Sequence, residues 1–396
     1  MTSANESEVI VVGAGPAGAM AATILAQKGR DVLLFDKDAF PRDKTCGDAV
    51  PSGAIEKMWK YGMKDKVETA VAKGEFYPLS GMMLVSPKGH ELHAHFTEGS
   101  NGAQKGAASY VAPRMYFDHV IQRQAVESGA EFCQAQVKEP IVEDGKVVGV
   151  RARVNGSVEE FRSKMVIGAD GVTSTITRNL RPKDNQHLDK HRAVAIRAYL
   201  DDIEEIPGEV EFYMYDEILP GYAWIFPLGN DKANIGLGMR LDTFRKHKLN
   251  LEKMLHHFLG MPAIKKRLKN GGQLHNVASW QLNFGSQKNL QTTFDGAILV
   301  GDAAGFINPL TGGGIHNSII SAELAANIVE DALTKGDVSR EAIRVYEQQC
   351  HDAMWDSMTT SYRFQKSFMH FPWIIDILVR FGKQSSALTQ TFLSKL

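Results

Sequence analysis

The sequence has few cysteines, almost no net charge and no long apolar run. Its three cysteines, Cys46, Cys133 and Cys350, are odd in number and far apart, which excludes a disulfide framework and a cysteine metal site. A formal net charge of −1 removes any general attraction to nucleic acid. No apolar run is long enough to span a bilayer, and a strand predicted from residue 8 leaves no room for a signal peptide. We therefore expect a cytoplasmic protein with no metal site and no nucleic-acid partner.

Glycine, by contrast, is plentiful, and the most informative glycines lie near the start. Residues 8–36 read EVIVVGAGPAGAMAATILAQKGRDVLLFD, which predicts a buried strand, a glycine turn, an apolar helix and a second strand. Gly13 allows the tight turn, Gly15 lets backbone N–H groups reach a pyrophosphate, and Gly18 lets helix and strand pack closely. Asp36 is placed to accept a hydrogen bond from a ribose 2′-OH. The alternative is a glycine-rich turn in an ordinary βαβ unit. The predicted dinucleotide contacts here are Gly13, Gly15, Pro16, Ala17, Gly18, Asp36 and Lys37.

Extended and helical patterns then follow one another without repeats or a flexible linker. The sequence predicts a charged loop at 37–48, a hairpin at 76–96, a helix at 115–128, strands at 131–137, 140–143, 147–154 and 164–167, an antiparallel sheet over 191–240, helical segments at 250–269, a strand at 297–300 and a helix at 315–333. This order predicts an α/β dinucleotide-binding domain assembled from separated segments, with a β-rich domain inserted between them.

Two later motifs repeat the strand-and-turn pattern of the start. Gly168-Ala169-Asp170-Gly171 is followed by Ser174 and Arg178, and Gly301-Asp302-Ala303-Ala304 follows the strand at 297–300. With the first motif, their order resembles FAD-dependent oxidoreductases of the para-hydroxybenzoate hydroxylase fold group. The resemblance implies a Rossmann-like FAD-binding domain, with Asp170 near the pyrophosphate and Asp302 on the ribityl chain. It also implies an arginine near the flavin phosphates, matched by Arg114. The FAD contacts that it implies beyond the first motif are Arg114, Val137, Asp170, Gly171, Gly301 and Asp302.

The glycine run before the last long helix has a physical role of its own. Residues 309–314, PLTGGG, remove side chains where a planar ring needs close approach to the backbone. The free N–H groups and positive end of the helix that follows would stabilise the negative edge of a reduced flavin. The alternative is an ordinary glycine-rich helix start, and His316 is expected to make a capping or core hydrogen bond. The predicted contacts are Pro309, Gly312, Gly313, Gly314 and Ile315.

The run PGYAWIFP at residues 220–227 predicts the substrate end of the site. Side chains alternate along a strand, so Tyr222, Trp224 and Phe226 share one face. A returning strand at 233–238 would leave space opposite them at Gly236 and Gly238. The predicted result is an aromatic wall beside a cavity that holds a ring or a long apolar chain. The alternative is that these aromatic side chains belong to the core.

YxWxFP, with a glycine nine residues after its proline, resembles the signature of the geranylgeranyl reductase family. Cys46-Gly47-Asp48 resembles the cysteine-containing loop that this family has near the flavin. The resemblance implies an FAD-dependent reductase that saturates carbon–carbon double bonds of an isoprenoid chain by hydride transfer from the reduced flavin. Since one full dinucleotide fingerprint is present, NAD(P)H binding transiently or a ferredoxin is expected as electron donor. The predicted catalytic residues are Cys46, Tyr222 and Trp224, and Cys46 and Gly47 are also predicted to contact FAD.

Cys46 has two interpretations. A thiol near a helix end or cations has a lowered pKa and could donate a proton over the flavin; alternatively, Cys46 is a small buried loop residue. Glu211, Tyr213 and Tyr215 alternate with apolar residues, so they are predicted to turn a polar face to the site. The full predicted substrate-binding set is Tyr213, Tyr215, Tyr222, Trp224, Phe226 and Gly236.

The C-terminal segment is rich in aromatic and apolar residues between positions 364 and 381, with Arg363, Lys366, Arg380 and Lys383 around them. It is interpreted either as a helix resting on a membrane surface, as a cap on the substrate domain or as a dimer contact. The predicted division of the chain is 1–75, 105–180 and 288–345 for FAD, 76–104 and 181–287 for substrate, and 346–396 for the C-terminal helical segment.

Two other functions remain open on the same fold. The first is an FAD monooxygenase that hydroxylates an aromatic or polyketide substrate, with a flavin halogenase as a lesser variant, since the halogenase run WxWxIP is absent. The second is a carrier that binds flavin or lipid without catalysis. The expected partner in the leading interpretation is an isoprenoid or other apolar small molecule.

Overall fold

A computed structural model describes residues 5–96, 108–204, 206–219 and 221–382. Residues 97–104 of the predicted substrate part, Pro220 of the aromatic run and residues 383–396 of the C-terminal segment lie outside the described residues. Within the described part of the chain, no helix is long and apolar enough to cross a membrane.

The structure contains three sheets, connected and covered by helices. The strands are β1 (Glu6–Val12), β2 (Val32–Asp36), β3 (Ala49–Val50), β4 (Tyr77–Leu79), β5 (Gly81–Val85), β6 (Glu91–His95), β7 (Ser109–Val111), β8 (Glu131–Gln134), β9 (Gln136–Glu143), β10 (Lys146–Val154), β11 (Ser157–Gly168), β12 (Arg192–Ile203), β13 (Glu209–Tyr213), β14 (Tyr222–Gly229), β15 (Lys232–Arg240), β16 (Leu268–Asn283), β17 (Thr293–Phe294) and β18 (Ala297–Leu299). The helices are α1 (Pro16–Gln27), α2 (Ser52–Lys60), α3 (Lys64–Ala72), α4 (Arg114–Glu127), α5 (Thr175–Leu180), α6 (Leu241–Lys246), α7 (Leu251–Gly260), α8 (Pro262–Lys265), α9 (Gly301–Ala304), α10 (Ile315–Lys335), α11 (Arg340–Ile343), α12 (Val345–His370) and α13 (Trp373–Gly382).

The first sheet carries the dinucleotide-binding segments. Its strand order is β17-β18-β11-β1-β2-β8, and β10 and β9 extend from β11. β1 pairs in parallel with β2 and β11, and the four residues Val9–Val12 are fully or almost fully buried, as the β-branched run predicts. Helices α1, α4 and α10 contribute buried side chains to the same core. The carboxyl ends of β1, β2 and β11 therefore lie at one edge of the sheet, where a ligand is expected to bind.

The second sheet has the order β16-β12-β15-β14-β13-β5-β6. All its pairs are antiparallel except β5 with β13, so the predicted antiparallel sheet contains one parallel pair. One face packs on α7, where Leu255 and Phe258 are buried. A small third sheet, β3-β7-β4, completes the set. The predicted hairpin at 76–96 supplies β5 and β6, while the division of the chain into functional domains stays a prediction.

Two predicted elements have different bounds in the structure. The strand predicted at 131–137 is interrupted at Ala135, so β8 ends at Gln134 and β9 begins at Gln136. The helical pattern predicted at 250–269 ends earlier, because Pro262 starts the short helix α8 and strand β16 begins at Leu268.

The C-terminal helices pack against the second sheet. Ile375 and Val379 of α13 are buried with Leu84 of β5 and Leu92 of β6. The buried Asp376 carboxylate accepts hydrogen bonds from the Ser86 hydroxyl at 2.6 Å and the Lys88 N–H at 3.0 Å. These contacts fix α13 beside the β5–β6 turn.

Candidate active site

A cavity of about 1450 Å³ lies between the first and second sheets. Most of the residues predicted for the site line it. They are Gly13, Gly15, Pro16, Ala17, Asp36, Lys37, Cys46, Gly47, Arg114, Val137, Asp170, Gly171, Tyr222, Trp224, Phe226, Asp302, Pro309, Gly312, Gly313, Gly314 and Ile315. Five predicted residues do not line it: Gly18, Gly301, Gly236, Tyr213 and Tyr215.

The amino end of α1 forms a cradle for an anion. Gly15 is the N-cap, and among the described residues no side chain caps the helix or accepts from its first N–H groups. A Cβ built on Gly15 would have the guanidinium nitrogens of Arg42 and Arg114 at 3.7 and 3.9 Å as its nearest neighbours. Free N–H groups, a helix N-terminus and two guanidinium groups together fit the pyrophosphate of a dinucleotide.

A buried carboxylate holds the two arginines in place. The Arg114 Nε and Nη2 donate to Asp118 at 2.5 and 2.6 Å, and the Arg42 Nη1 donates to Asp118 at 2.8 Å. Both guanidinium groups favour the charged carboxylate, and the pKa of Asp118 is lowered although burial opposes this. Asp118 thus fixes both guanidinium groups beside the amino end of α1, and Arg42 also lies 3.5 Å from the Asp36 carboxylate.

Asp36 and Asp170 also organise backbone at the sheet edge. The Asp36 carboxylate accepts hydrogen bonds from the N–H groups of Ala14 at 2.9 Å and Asp38 at 3.1 Å. The Asp170 carboxylate accepts from the N–H of Thr175 at 2.6 Å, and burial raises its pKa. Asp170 therefore holds the start of α5 while lining the cavity.

Gly18 and Gly301 do not line the cavity, although both are also predicted as cofactor contacts. For Gly18 the structure agrees with the other predicted role, close packing of helix and strand. A Cβ on Gly18 would lie 1.8 Å from the Gly13 carbonyl oxygen, so this glycine is needed for close packing of α1. A Cβ on Gly301 would lie 2.8 Å from the Ser318 Oγ and 2.9 Å from the Ala17 Cβ. Both positions meet protein atoms and leave no room for a ligand.

The amino end of α10 faces the same cavity. Gly314 is its N-cap, again without a side-chain cap. Gly312 and Gly313 line the approach, and the Tyr222 hydroxyl donates to the Thr311 carbonyl oxygen. Uncapped N–H groups beside a run without side chains fit the edge of a flat, partly anionic ring. His316 does not make the expected hydrogen bond through Nδ1, which is buried and has no partner among the described residues.

The same cavity is also lined by an aromatic wall. Tyr222, Trp224 and Phe226 lie on one face of β14, as their alternation predicts. The Trp224 ring centroid is 6.0 Å from that of Tyr222 and 6.0 Å from that of Phe226. Phe212 of β13 packs edge-on against Tyr222 at 5.3 Å and against Phe226 at 5.2 Å. The wall thus consists of four packed rings that face the cavity.

Comparisons with known proteins agree with this geometry. The FAD binding domain family matches residues 6–361. Digeranylgeranylglycerophospholipid reductases of Methanosarcina acetivorans and Methanocella arvoryzae are 33% and 31% identical to this chain. These matches cover 92% and 91% of this chain and 85% and 87% of the relatives. The chain belongs to the geranylgeranyl reductase family of FAD-dependent oxidoreductases.

Solved structures resemble this member of the geranylgeranyl reductase family over almost its whole length. A geranylgeranyl bacteriochlorophyll reductase-like protein from Thermoplasma acidophilum superposes with a TM-score of 0.83 at 26% identity, covering 95% of this chain and 91% of that chain. A flavin-dependent brominase superposes with a TM-score of 0.77 at 21% identity, covering 97% and 93%. The brominase shares the fold, and its lower identity supports no statement about activity.

Tyr213 and Tyr215 do not lie where the sequence predicts substrate contacts. The Tyr213 hydroxyl donates to Glu211, whose carboxylate is paired with Arg267 at 2.6 Å. The Tyr213 ring packs on Phe258 of α7 at 5.2 Å. The alternation along β13 was predicted correctly, but the polar face turns to α7. The apolar residues Val210, Phe212 and Met214 line the cavity instead.

The prediction that Gly236 contacts the substrate is also wrong. Its Cβ position is occupied by the Trp224 indole, whose Cζ2 would lie 2.3 Å away. The glycine therefore makes room for the wall and not for substrate. Gly238, two residues on, does line the cavity.

Of the two interpretations of Cys46, the one with a lowered pKa is wrong. Burial raises the pKa of the Cys46 thiol, and this outweighs the opposite effect of Arg114 and Lys44. The thiol is therefore protonated at neutral pH. The Asp48 N–H donates to the Cys46 Sγ at 3.3 Å, which helps to hold the loop.

Sequence reasoning missed several residues of the site. They are Arg42, Lys44, Arg197 and Asn234. Asp48 was named as part of the cysteine loop, but no role was predicted for its side chain. The charge of the 37–48 loop was a usable signal for Arg42 and Lys44, because a charged loop beside a phosphate site supplies its counterions. Lys44 lies 3.8 Å from Asp302, and its Nζ lies 5.6 Å from the Trp280 ring centroid. Arg197 and Asn234 stand on strands with no local signal.

Proposed function

We propose that this protein is an FAD-dependent reductase that saturates carbon–carbon double bonds in the isoprenoid chain of a lipid. One observation carries the proposal. The four-ring aromatic wall lines the same cavity as the FAD cradle. An apolar chain that enters this cavity would be held between the wall and the ring of the cofactor. The names of the relatives, digeranylgeranylglycerophospholipid reductases, support a lipid substrate of this kind.

The cofactor would be held at two helix ends. Gly15, Arg42 and Arg114 would bind the FAD pyrophosphate, and the amino end of α10 would lie at the ring. When bound and reduced, FAD supplies a hydride to one carbon of the double bond. Uncapped N–H groups at α10 favour the negatively charged reduced form.

The protein's own side chains would orient the chain and hold a proton. Tyr222, Trp224 and Phe226 exclude water and present ring faces that stabilise positive charge developing on an alkene carbon. The Cys46 thiol lines the cavity and keeps its proton at Sγ, since burial raises its pKa. We propose Cys46 as the donor of the proton that the second carbon needs, and Tyr222 and Trp224 as substrate-positioning residues.

Anaerobic mixing tests the proposed function. Dithionite-reduced, FAD-loaded protein is mixed with a digeranylgeranyl glycerophospholipid, and flavin absorbance is followed. We expect the absorbance of oxidised flavin to return in the absence of oxygen, and a Trp224→Leu variant to slow this by at least about tenfold. If the flavin is reoxidised only when oxygen is admitted, with a hydroxylated or halogenated product, the protein is a monooxygenase or halogenase. If no product forms in either case, it is a carrier.

We further propose that electrons arrive from NAD(P)H bound transiently or from a ferredoxin. The support is that the described sequence carries one full dinucleotide fingerprint, which FAD would occupy. Stopped-flow mixing of oxidised protein with NADH, NADPH or reduced ferredoxin identifies the donor. A donor bleaches the flavin within the time of one turnover.

We propose that α13 rests on a membrane surface. Phe371, Trp373 and Phe381 are 51%, 54% and 57% exposed, and Lys366 and Arg380 lie exposed among them. Aromatic side chains flanked by basic ones suit the interface of an anionic membrane.

Flotation with phosphatidylglycerol vesicles tests the membrane contact. We expect the protein to float with the vesicles and a Trp373→Ser, Phe381→Ser variant to stay at the bottom. Val158→Ser, which removes a residue that is 54% exposed on β11, is the matched control and should float like the wild type. A double variant that still floats contradicts the contact.

A further inference from the structure

Asp48 combines three unfavourable features in one position of the cysteine loop. Its backbone has φ +67, in the left-handed region that non-glycine residues rarely adopt. Its side chain is fully buried, and its Oδ1 has no hydrogen-bond partner among the described residues. Backbone strain of this kind and an unsatisfied buried oxygen both destabilise the folded protein. Such a combination is expected where function requires it.

The other carboxylate oxygen of Asp48 stands at the centre of a hydrogen-bond network. Its Oδ2 accepts from the Tyr199 hydroxyl at 2.8 Å and from the Asn234 Nδ2 at 2.7 Å. The same Nδ2 donates to the Cys46 carbonyl oxygen at 2.8 Å. The Asn234 Oδ1 accepts from the Trp224 Nε1 at 2.9 Å. Through Asn234, the Asp48 carboxylate is thus connected to the Cys46 carbonyl oxygen and to Trp224 of the aromatic wall.

The network connects the two sides of the site. Cys46 lies on the loop beside the cofactor cradle, and Trp224 lies on β14 in the substrate wall. Asn234 is fully buried on β15 between them. The Asp48 carbonyl oxygen also accepts from the Ala112 N–H at 2.8 Å, which ties the loop to the end of β7. Rotation of the Asn234 amide would break the bonds to Asp48, Cys46 and Trp224 together.

We propose that Asp48 is a positioning residue that fixes Cys46 and Trp224 relative to each other through Asn234, and that protonation of its carboxyl group loosens this connection. A charged acceptor makes stronger hydrogen bonds than a neutral one, so the ionised carboxylate holds Asn234 more firmly. The inference rests on the proposed function for the roles of Cys46 and Trp224. Its test does not require the lipid.

The surroundings of Asp48 place its titration near neutrality. Burial raises the pKa of Asp48 to about 7, although the hydrogen bonds from Tyr199 and Asn234 and the charges of Arg197 and Arg114 lower it. Arg197 lowers the pKa of Asp48 only partly, since its Nη2 donates to the Asp43 carboxylate at 2.8 Å. The other ionisable neighbours are the Cys46 thiol and Lys44 of the same loop.

A pH titration of the FAD-loaded protein tests the inference. Visible flavin absorbance and near-ultraviolet circular dichroism are recorded between about pH 5.5 and pH 8.5. We expect the wild type to show a one-proton transition with a midpoint near 7, and Asp48→Asn to show none. Asp144→Asn is the matched control, because Asp144 also has a positive φ of +48 but lies exposed in the β9–β10 turn. It should titrate like the wild type.

A second variant keeps the test decisive if Asp48→Asn does not fold. Tyr199→Phe removes a donor that stabilises the charged carboxylate, so it should raise the midpoint by about one pH unit. In turnover, Asp48→Asn should lower kcat about tenfold with KM little changed, since alignment and not binding is lost. A transition that persists in Asp48→Asn, or a midpoint that Tyr199→Phe leaves unmoved or lowers, overturns the inference. If both titrations behave as expected but the lipid is not reduced, the proposed function is contradicted and the inference about Asp48 is not.

Discussion

The indole of Trp224 lies in the space that a side chain on Gly236 would occupy. A Cβ on Gly236 would be 2.3 Å from the Trp224 Cζ2, and these two residues are directly paired between β14 and β15. The same position would bring the Cβ within 2.2 Å of the Ile196 carbonyl oxygen on β12. The glycine is therefore part of the support of the aromatic wall, because it lets the ring lie flat on the sheet.

Gly236→Ala is expected to displace the Trp224 ring into the cavity and to disturb the pairing of β15 with β12, because the Cβ would also meet the Ile196 backbone carbonyl oxygen. We predict a loss of kcat for lipid reduction of at least about tenfold, because small shifts of positioning groups are costly. FAD binding should be unchanged, since the cradle lies on the other sheet. Gly260→Ala is the control, because no atom lies within 4 Å of a Cβ at that exposed helix end. Equal effects of the two variants would contradict the assignment.

Substitution of Gly13 and Gly15 should separate folding from cofactor binding. Gly13 has φ +98, and a Cβ there would lie 2.5 Å from the Ala169 carbonyl oxygen, so Gly13→Ala should destabilise the apoprotein by about 1–3 kcal/mol. Gly15→Ala has room in the protein itself, since its nearest neighbour would be 3.7 Å away. It should keep the unfolding free energy but raise the Kd for FAD about tenfold, or about 1.4 kcal/mol. Thermal unfolding and flavin fluorescence titration measure the two effects.

Removal of the charge on Asp118 should destabilise the protein strongly. Asp118→Asn leaves the buried Arg114 without its carboxylate and leaves Arg42 with Asp36 alone, at 3.5 Å. Loss of one partner of a buried pair typically costs about 3–5 kcal/mol. Glu127→Gln, four residues from Arg123 on the exposed face of α4, is the control and should cost at most about 1 kcal/mol. Urea unfolding of the apoproteins compares them. Added pyrophosphate should restore less stability to Glu127→Gln than to Asp118→Asn.

Acid should destabilise the protein through His191, which is buried, and His187, which is partly buried. Burial lowers the pKa of His187 to about 3 and that of His191 to about 4, whereas an unfolded histidine has a pKa of 6.5. Between these pKa values the unfolded chain binds more protons than the folded protein does. The stability that the neutral histidines contribute is therefore fully present above pH 6.5 and is lost as the pH falls toward about 3.

The histidine contribution is measured by unfolding at a series of pH values. The wild type should lose up to about 1.4 kcal/mol per pH unit for each histidine across this range. His187→Gln should have a shallower slope, whereas His275→Gln, at an exposed position on β16, should keep the wild-type slope. Parallel slopes for all three proteins would show that His187 is not responsible.

The parts of the fold that could be predicted from sequence are those with local causes. Gly13, Gly15 and Asp36 are fixed by a turn, a helix start and a strand end that follow each other in the chain, so their neighbourhood is predictable. Tyr222, Trp224 and Phe226 share a face because strands alternate.

The remaining features depend on contacts between distant segments. Alternation along β13 does not tell which face meets α7, so Tyr213 and Tyr215 were assigned to the wrong side. The raised pKa values of Cys46 and Asp48 depend on burial by strands nearly two hundred residues away, which outweighs the nearby cations. Asn234 has no sequence signal, because its role exists only between Asp48 and Trp224.

The most direct test of the central claim is mass spectrometry of the lipid after anaerobic turnover. FAD-loaded, dithionite-reduced protein is incubated with a digeranylgeranyl glycerophospholipid, and a parallel sample lacks FAD. We predict products heavier by two hydrogen atoms for each saturated double bond, formed in the FAD-loaded sample alone. A lipid of unchanged mass beside fully reduced flavin, or a product that has gained oxygen or halogen, would contradict the account.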